Sequence, residues 1–257
     1  LNQNQSDVLS DKNIRLAMAY SVNKDKIIEI ISGNGFKADS PVIPEVFRNF
    51  ESNIKKYDYN PEFARQILQN SLWLDEDGNG FREKNSKKLE IELAVPLKKE
   101  LVEIGRELVK EWENIGIKIN LISVPITELQ QKFIQSRNYQ ALLFGEVLNI
   151  EPDPFSFWHS SQKKDPGLNL ALYDSRGADK LLEEAKQTLN PVARAGKYKD
   201  FQNLVIEDLP AIFLYSPNYI YPQAKKIKGS ENELLGLPSE RFANIEKWHI
   251  ETQRKKK

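Results

Sequence analysis

Across residues 89–144 the hydrophobic period switches back and forth, and that switching limits the fold more than any other feature of the chain. Leu89, Ile91, Leu93 and Val95 alternate with Glu90, Glu92 and Ala94, the period of a strand. Leu97, Leu101, Leu108, Trp112 and Ile115 then fall on one helical face, and Gly116 stands where a helix end wants a left-handed residue. Ile117, Ile119 and Leu121 alternate again. Thr127 opens a helix carrying Leu129, Phe133 and Ile134, and residues 139–144 supply a third apolar strand. The order β-α-β-α-β predicts a mixed α/β fold, a sheet with crossover helices.

The flanks add helices to this core. Ser10 or Asp11 caps a first helix with Ile14, Ala17 and Met18 inside, and Asn23 caps a second that ends at Gly33 and Gly35. Asn60 followed by Pro61 opens another, with Ala64, Ile67 and Leu68 on its apolar face. After Gly145 the pattern breaks into Pro152, Asp153, Pro154 and the Phe155, Phe157, Trp158 cluster. A long irregular stretch inside a compact domain reads as a binding loop. Helices resume over 178–189 and from Asn190-Pro191 to about Asp208. Residues 210–221 read as a strand, a turn at Pro217 and a second strand.

Composition excludes several classes of function. Lys plus Arg and Asp plus Glu both number 37, so no net charge draws the chain to nucleic acid. There is no cysteine, which removes disulfides, thiolate metal sites and a cysteine nucleophile. No apolar run approaches the ~20 residues of a membrane span. Residues 1–6 have neither the basic nor the apolar part of a signal peptide, so the chain is expected to be a fragment or to have lost its leader. His159 and His249 lie 90 positions apart without spaced metal-ligand partners, and His159 beside Ser160 and Ser161 is not by itself a triad. No glycine fingerprint follows the 89–95 strand, and no P-loop is present. Asp75, Asp77, Asn79 and Gly80 match the first half of a calcium loop. Ser86 occupies the twelfth position in place of the bidentate Glu, so an Asx/Gly turn is the favoured reading and calcium the alternative.

Several segments in order resemble the family 5 extracellular solute-binding proteins, the oligopeptide-, dipeptide- and nickel-binding group. They are Asp11-Lys-Asn-Ile-Arg15-Leu-Ala-Met-Ala-Tyr20-Ser-Val-Asn-Lys24 with the capped helix after it, and Tyr57-Asp-Tyr59-Asn-Pro61-Glu-Phe-Ala64-Arg-Gln-Ile-Leu68. The Asp/Gly turn at 75–80, Trp112-Glu-Asn-Ile-Gly116-Ile, and the Asp153-Pro154 stretch follow. Asn169, Tyr173 and Asp179-Lys-Leu-Leu come next, then Arg194, Tyr198, Gln202, Asp208 and Pro210.

The resemblance implies the C-terminal lobe of a two-lobed periplasmic-binding-protein-like fold. Residues 11–208 would be the second, ligand-binding lobe and 209–257 a return segment completing an absent N-terminal lobe. Ile212, Phe213, Leu214, Tyr215 and Ile220 should then be exposed or repacked. The implied function is solute binding, with peptide the expected ligand, for an ABC importer; no catalysis is implied. The partners would be the solute, a membrane permease and the N-terminal lobe, and the location extracellular, periplasmic or at the cell surface. Gly145, Glu146, Asn149, Glu151, Asp153, Trp158, Asn169 and Tyr173 are the candidate ligand-binding residues. Asn149 stands near the family's ammonium-binding Asp, which leaves Glu146 or Glu151 to supply charge. Structural alternatives stay open: local core for Trp158, Phe155 and Phe157, a loop-fixing hydrogen bond for Asn169 and Tyr173, and structural pairing for Arg15, Asp179 and Arg194. Two other classes also remain, a hydrolase using scattered carboxylates and a protein-interaction module.

Overall fold

A computed structural model describes residues 1–42, 54–147, 153–230, 235 and 238–250 of the chain. Its elements run α1 (Asp7–Ser10), α2 (Lys12–Tyr20), α3 (Lys24–Ile30), β1 (Gly35–Lys37), α4 (Pro61–Asn70), β2 (Glu83–Lys84), β3 (Lys87–Lys88), β4 (Glu90–Pro96), α5 (Lys99–Glu113) and β5 (Lys118–Val124). There follow α6 (Ile126–Glu128), which passes into a π-helical turn (Leu129–Ile134), then β6 (Ala141–Leu142), α7 (Phe155–Trp158), a 3-10 turn (Ser160–Gln162), α8 (Arg176–Gln187), α9 (Pro191–Asp208), β7 (Tyr215–Pro217), β8 (Ile227–Lys228) and β9 (His249–Ile250).

The helix starts follow local chemistry. Asp11 accepts from the Asn13 amide to cap α2, Asn23 accepts from Asp25 and Lys26 to cap α3, and Asn60 accepts from Phe63 before the N1 proline of α4. At the end of α5, Gly116 takes φ 91°, and a Cβ there would lie 2.7 Å from the Arg82 side chain. Only glycine fits.

β4 is the middle strand of a three-stranded parallel sheet, order β5-β4-β6. Its full length pairs with β5, Glu90 opposite Lys118 through Pro96 opposite Val124, while β6 adds only Leu93 opposite Ala141 and Ala94 opposite Leu142. Helix α5 crosses from β4 to β5 as the β-α-β reading requires. Three expectations change here. The 139–144 strand shrinks to two residues because Tyr139 turns its hydroxyl to Leu170 O at 2.6 Å and the chain leaves the ladder beyond Leu143. Leu97 is not on the α5 face but precedes that helix, continuing the ladder through its N–H to Val124 O at 2.7 Å. The helix expected after Thr127 begins at Ile126 behind Pro125 and widens into a π turn.

Two cores result. The larger packs Ile91, Leu93 and Val95 of β4 against Ile104, Leu108 and Trp112 of α5 and against Leu9, Ile14, Met18, Ile27 and Leu68 from the N-terminal helices. The smaller gathers Trp158, Tyr173, Leu182, Tyr198, Phe201 and Val205 around α8 and α9. Within 210–221 one strand forms instead of two: β7 pairs antiparallel with β1, Lys37 opposite Tyr215. Ile212, Leu214 and Tyr215 pack on the larger core and Phe213 on the smaller, so they are repacked, whereas Ile220 stays 62% exposed.

One core carboxylate makes stability depend on pH. Glu111 on α5 is buried, with Oε2 accepting from the Asn23 amide at 3.0 Å and Oε1 without a partner. Burial, helped by the negative charge of Glu107, raises its pKa from 4.5 to about 7. The folded state therefore binds this proton more tightly than the unfolded chain. Its contribution is full below about pH 4.5 and is lost as pH rises through about 7. We expect urea melts to show a loss of about 2–3 kcal/mol between pH 5 and 8 from this group, and Glu111→Gln to remove most of that slope. A variant as pH-dependent as the parent would refute the assignment.

Candidate functional site

In an open parallel sheet, ligands bind beyond the carboxyl ends of the strands, at the point where strand order reverses. Here the chain goes from β4 to β5 on one side and returns to β6 on the other, so the reversal lies between β4 and β6. Residues 145–147 leave from this point. Gly145, Glu146 and Val147 are exposed there. Asn149 and Glu151 lie outside the described residues.

The far root of this loop is fastened to α8. Asp153 is exposed; its carboxylate accepts from the Phe155 amide at 3.1 Å and pairs with Lys186 at 3.0 Å. The Lys186 ammonium also sits 4.3 Å from the Phe155 ring centroid, and Phe155 stacks on His159 at 4.1 Å. His159 Nε2 is 3.2 Å from Glu183 Oε1, and the Ser160 amide donates to Asp179 at 2.9 Å. Asp179 is thus a structural partner of the loop root. Arg15 binds main-chain oxygens of α1 and α9, and Asp208 accepts from the Tyr173 hydroxyl at 2.6 Å.

Trp158, Asn169 and Tyr173 are buried. Trp158 packs edge-on against Tyr173 and Phe201 in the smaller core. The Asn169 amide nitrogen donates to Trp158 O, His159 O and Tyr173 O at 3.1, 3.1 and 2.9 Å, and its oxygen accepts from the Tyr173 amide at 3.0 Å. Every polar atom of Asn169 is engaged in holding the segment. Arg137, which the sequence did not single out, works in the same way: Nε donates to Lys163 O at 2.8 Å and Nη1 to Ile134 O at 2.6 Å, and Nη2 reaches Gly167 O. Its only sequence signal is a lone arginine after an apolar helix.

The side chains around His159 include Ser161 and Glu183, three groups that a hydrolase would use. Nδ1 of His159 accepts from the Ser161 amide at 3.1 Å as well as lying 2.8 Å from its hydroxyl. That nitrogen caps the 3-10 turn, and a base needs it free to take a proton. At 75–80, Gly80 N donates to Asp75 at 3.0 Å, Asn79 N to Asp77 at 3.1 Å and Phe81 N to Asn79 at 2.8 Å, the hydrogen bonding of an Asx turn. Among the described residues no group of three His, Cys, Asp or Glu is placed to hold a metal ion. A small pocket between the two cores, lined by Ala19, Lys24, Asp39, Tyr57 and Phe213, lies away from the strand ends; its Lys24 already donates to Ala38 O at 2.7 Å and pairs with Asp39. The candidate site is the region at the strand ends, where chain topology and loop roots converge.

Residues 1–169 match the bacterial extracellular solute-binding proteins, family 5, in its middle region. The chain belongs to this family. It is 28% identical over 254 residues to the oligopeptide-binding protein AppA of Bacillus subtilis, covering 96% of this chain and 45% of that protein. The structure of AppA in complex with a nonapeptide superposes with a TM-score of 0.79 at 26% identity, over 98% of this chain and 49% of that one. NikZ from Campylobacter jejuni, solved with Ni(L-His), gives a TM-score of 0.78 at 26% identity, over 96% of this chain and 50% of its own. The chain thus spans about half the length of the relatives it matches. The family is one of binding proteins described as extracellular, and among the described residues no helix is long and apolar enough to cross a membrane.

Proposed function

We propose that this chain supplies one wall of a cleft that captures peptides outside the cell for an ABC importer, delivering them to a membrane permease. The observation that carries this is the placing of Gly145 and Glu146 at the reversal point of the parallel sheet, in a relative of an oligopeptide-binding protein that was solved with a nonapeptide. The second wall would come from an N-terminal lobe of the kind these longer relatives have room for, closing over the ligand by hinge motion. With Asn149 near the position of the family's Asp, Glu146 is the carboxyl a peptide ammonium would meet. Desolvation pushes the Glu146 pKa up to about 8, and the ammonium would draw off that proton by favouring the charged form. Asp153 supports the loop from its Lys186 pair, and the buried Trp158, Asn169 and Tyr173 support it too.

Titration of the labelled chain with a nonapeptide, followed by amide shifts, tests the reading. Residues 145–147 and 153–158 should move, and N-acetylation of the peptide should weaken binding by roughly 10-fold through loss of the charged hydrogen bond. Shifts confined to other surfaces, with this loop silent, would exclude the site.

A further inference from the structure

Large apolar side chains are exposed at all three strand ends. Extending the β4–β5 register by one residue sets Leu97 level with Pro125, and on the other side of β4 the chain leaves the ladder just before Phe144. Leu97, Ile126 and Phe144 are 63%, 48% and 41% exposed one or two residues past the ends of β4, β5 and β6, and Val147, five past β6, is 68% exposed. At the opposite end of the same sheet the residues opening β4 and β5 are Glu90 and Lys118, ion-paired at 3.0 Å. Large exposed apolar side chains scattered singly carry no message, but one within two residues of the end of each of three neighbouring strands, with Val147 following, marks a binding surface.

We propose that this ledge is the specificity surface of the cleft, and that it selects peptides bearing bulky apolar side chains. The inference rests on the peptide-binding reading and goes beyond it by naming the ligand class and the residues that choose it. A peptide is favoured as occupant because the ledge coincides with the crevice where strand order reverses, and because Glu146 stands beside it between Phe144 and Val147. An extended peptide with its ammonium at Glu146 would lay its side chains across Phe144, Leu97 and Ile126 in turn. Each buried apolar side chain contributes about 1.5–3 kcal/mol of transfer free energy before the cost of ordering it, so two contacts suffice for selection of roughly 10- to 100-fold.

The test compares two nonapeptides of equal length and free termini by calorimetry on the full chain, one with Leu or Phe at alternate positions and one with Ser or Asn there. We expect the apolar peptide to bind at least about 10-fold more tightly. The double variant Leu97→Ser/Phe144→Ser should lose most of that preference, the apolar peptide's affinity falling toward the polar peptide's. Both positions are exposed, so its thermal melt should match the parent's and separate lost selectivity from lost folding. Equal affinity for the two peptides, or a variant that keeps the preference, would overturn the ledge while leaving peptide binding intact. Binding of neither peptide would overturn the peptide reading and the ledge together. Concentration-dependent self-association that the double variant abolishes and the apolar peptide does not displace would assign the ledge to a second copy of the chain instead.

Discussion

Replacing Arg15 by alanine is expected to cost about 4 kcal/mol of folding stability and to lower the melting temperature by roughly 10 °C. Arg15 is buried on α2, and its guanidinium joins the ends of two other helices. Nη1 donates to Leu9 O at 2.8 Å and Ser10 O at 3.0 Å at the end of α1. Nε donates to Leu209 O at 3.0 Å and Nη2 to Asp208 O at 2.8 Å at the end of α9. The last carbonyls of a helix have no partner within it and carry the negative end of its dipole, so one planar cation with five donors suits two such ends at once. Desolvation lowers the Arg15 pKa, and the charges of Asp208 and Asp11 oppose that shift. Truncation removes the donors and leaves buried carbonyls unmet. Arg15→Lys keeps the charge but not the fork, and should recover less than half of the loss. Urea melts with an unchanged slope would show that stability, not compactness, has changed. A loss below about 1 kcal/mol for alanine would show that water replaces the guanidinium and that the clamp has little value.

This clamp also shows where the sequence stops being legible. Asn60-Pro61, Asn190-Pro191 and Asn23 announce helix starts because a cap acts over two or three residues, and each start is found where its cap lies. The alternation in 89–95 and the helical period after it fix β4 and α5 for the same reason: periodicity is local. The length of β6 is not local. It depends on Tyr139 finding Leu170 O, 31 residues away, and on the turn that Arg137 builds with Lys163 and Gly167. Arg15 and Leu209 are 194 residues apart, so no window over the sequence joins them. At the site, the loop at 145–158 was legible as a break in pattern beside aromatic residues. Which of its residues are exposed was not, because Trp158, Asn169 and Tyr173 read from the sequence as ligand groups or as structural ones alike, and their burial follows from packing against distant elements. Leu97 and Phe144 read as helix-face and strand residues in the sequence, and their exposure appears only in the structure.

Asn169 offers a sharp separation between holding the loop and holding the ligand, and its alanine variant is expected to lose about 3 kcal/mol. The side chain is fully buried and makes four hydrogen bonds to main-chain atoms. Three carbonyls face one atom of the amide and one N–H faces the other, which fixes the amide's orientation without ambiguity. Alanine leaves the Tyr173 amide and the carbonyls of Trp158 and His159 without these partners, each at about 1–3 kcal/mol if no water enters. Asn169→Asp has nearly the same shape but sets an anionic oxygen against three carbonyl oxygens. Its carboxyl should therefore hold its proton more tightly in the folded than in the unfolded state. The sign follows: the variant is least damaged at low pH and loses stability as pH rises toward neutrality, opposite to the behaviour of a salt-bridged carboxylate. Denaturant melts of both variants at pH 4.5 and 7.5 distinguish the two roles. A ligand contact would lose peptide affinity at unchanged stability, because its amide would be free to face the cleft. A loop-fixing residue loses stability first. Affinity falls only as Trp158 and Asp153, which root the loop on α8 beside Lys186, lose their positions.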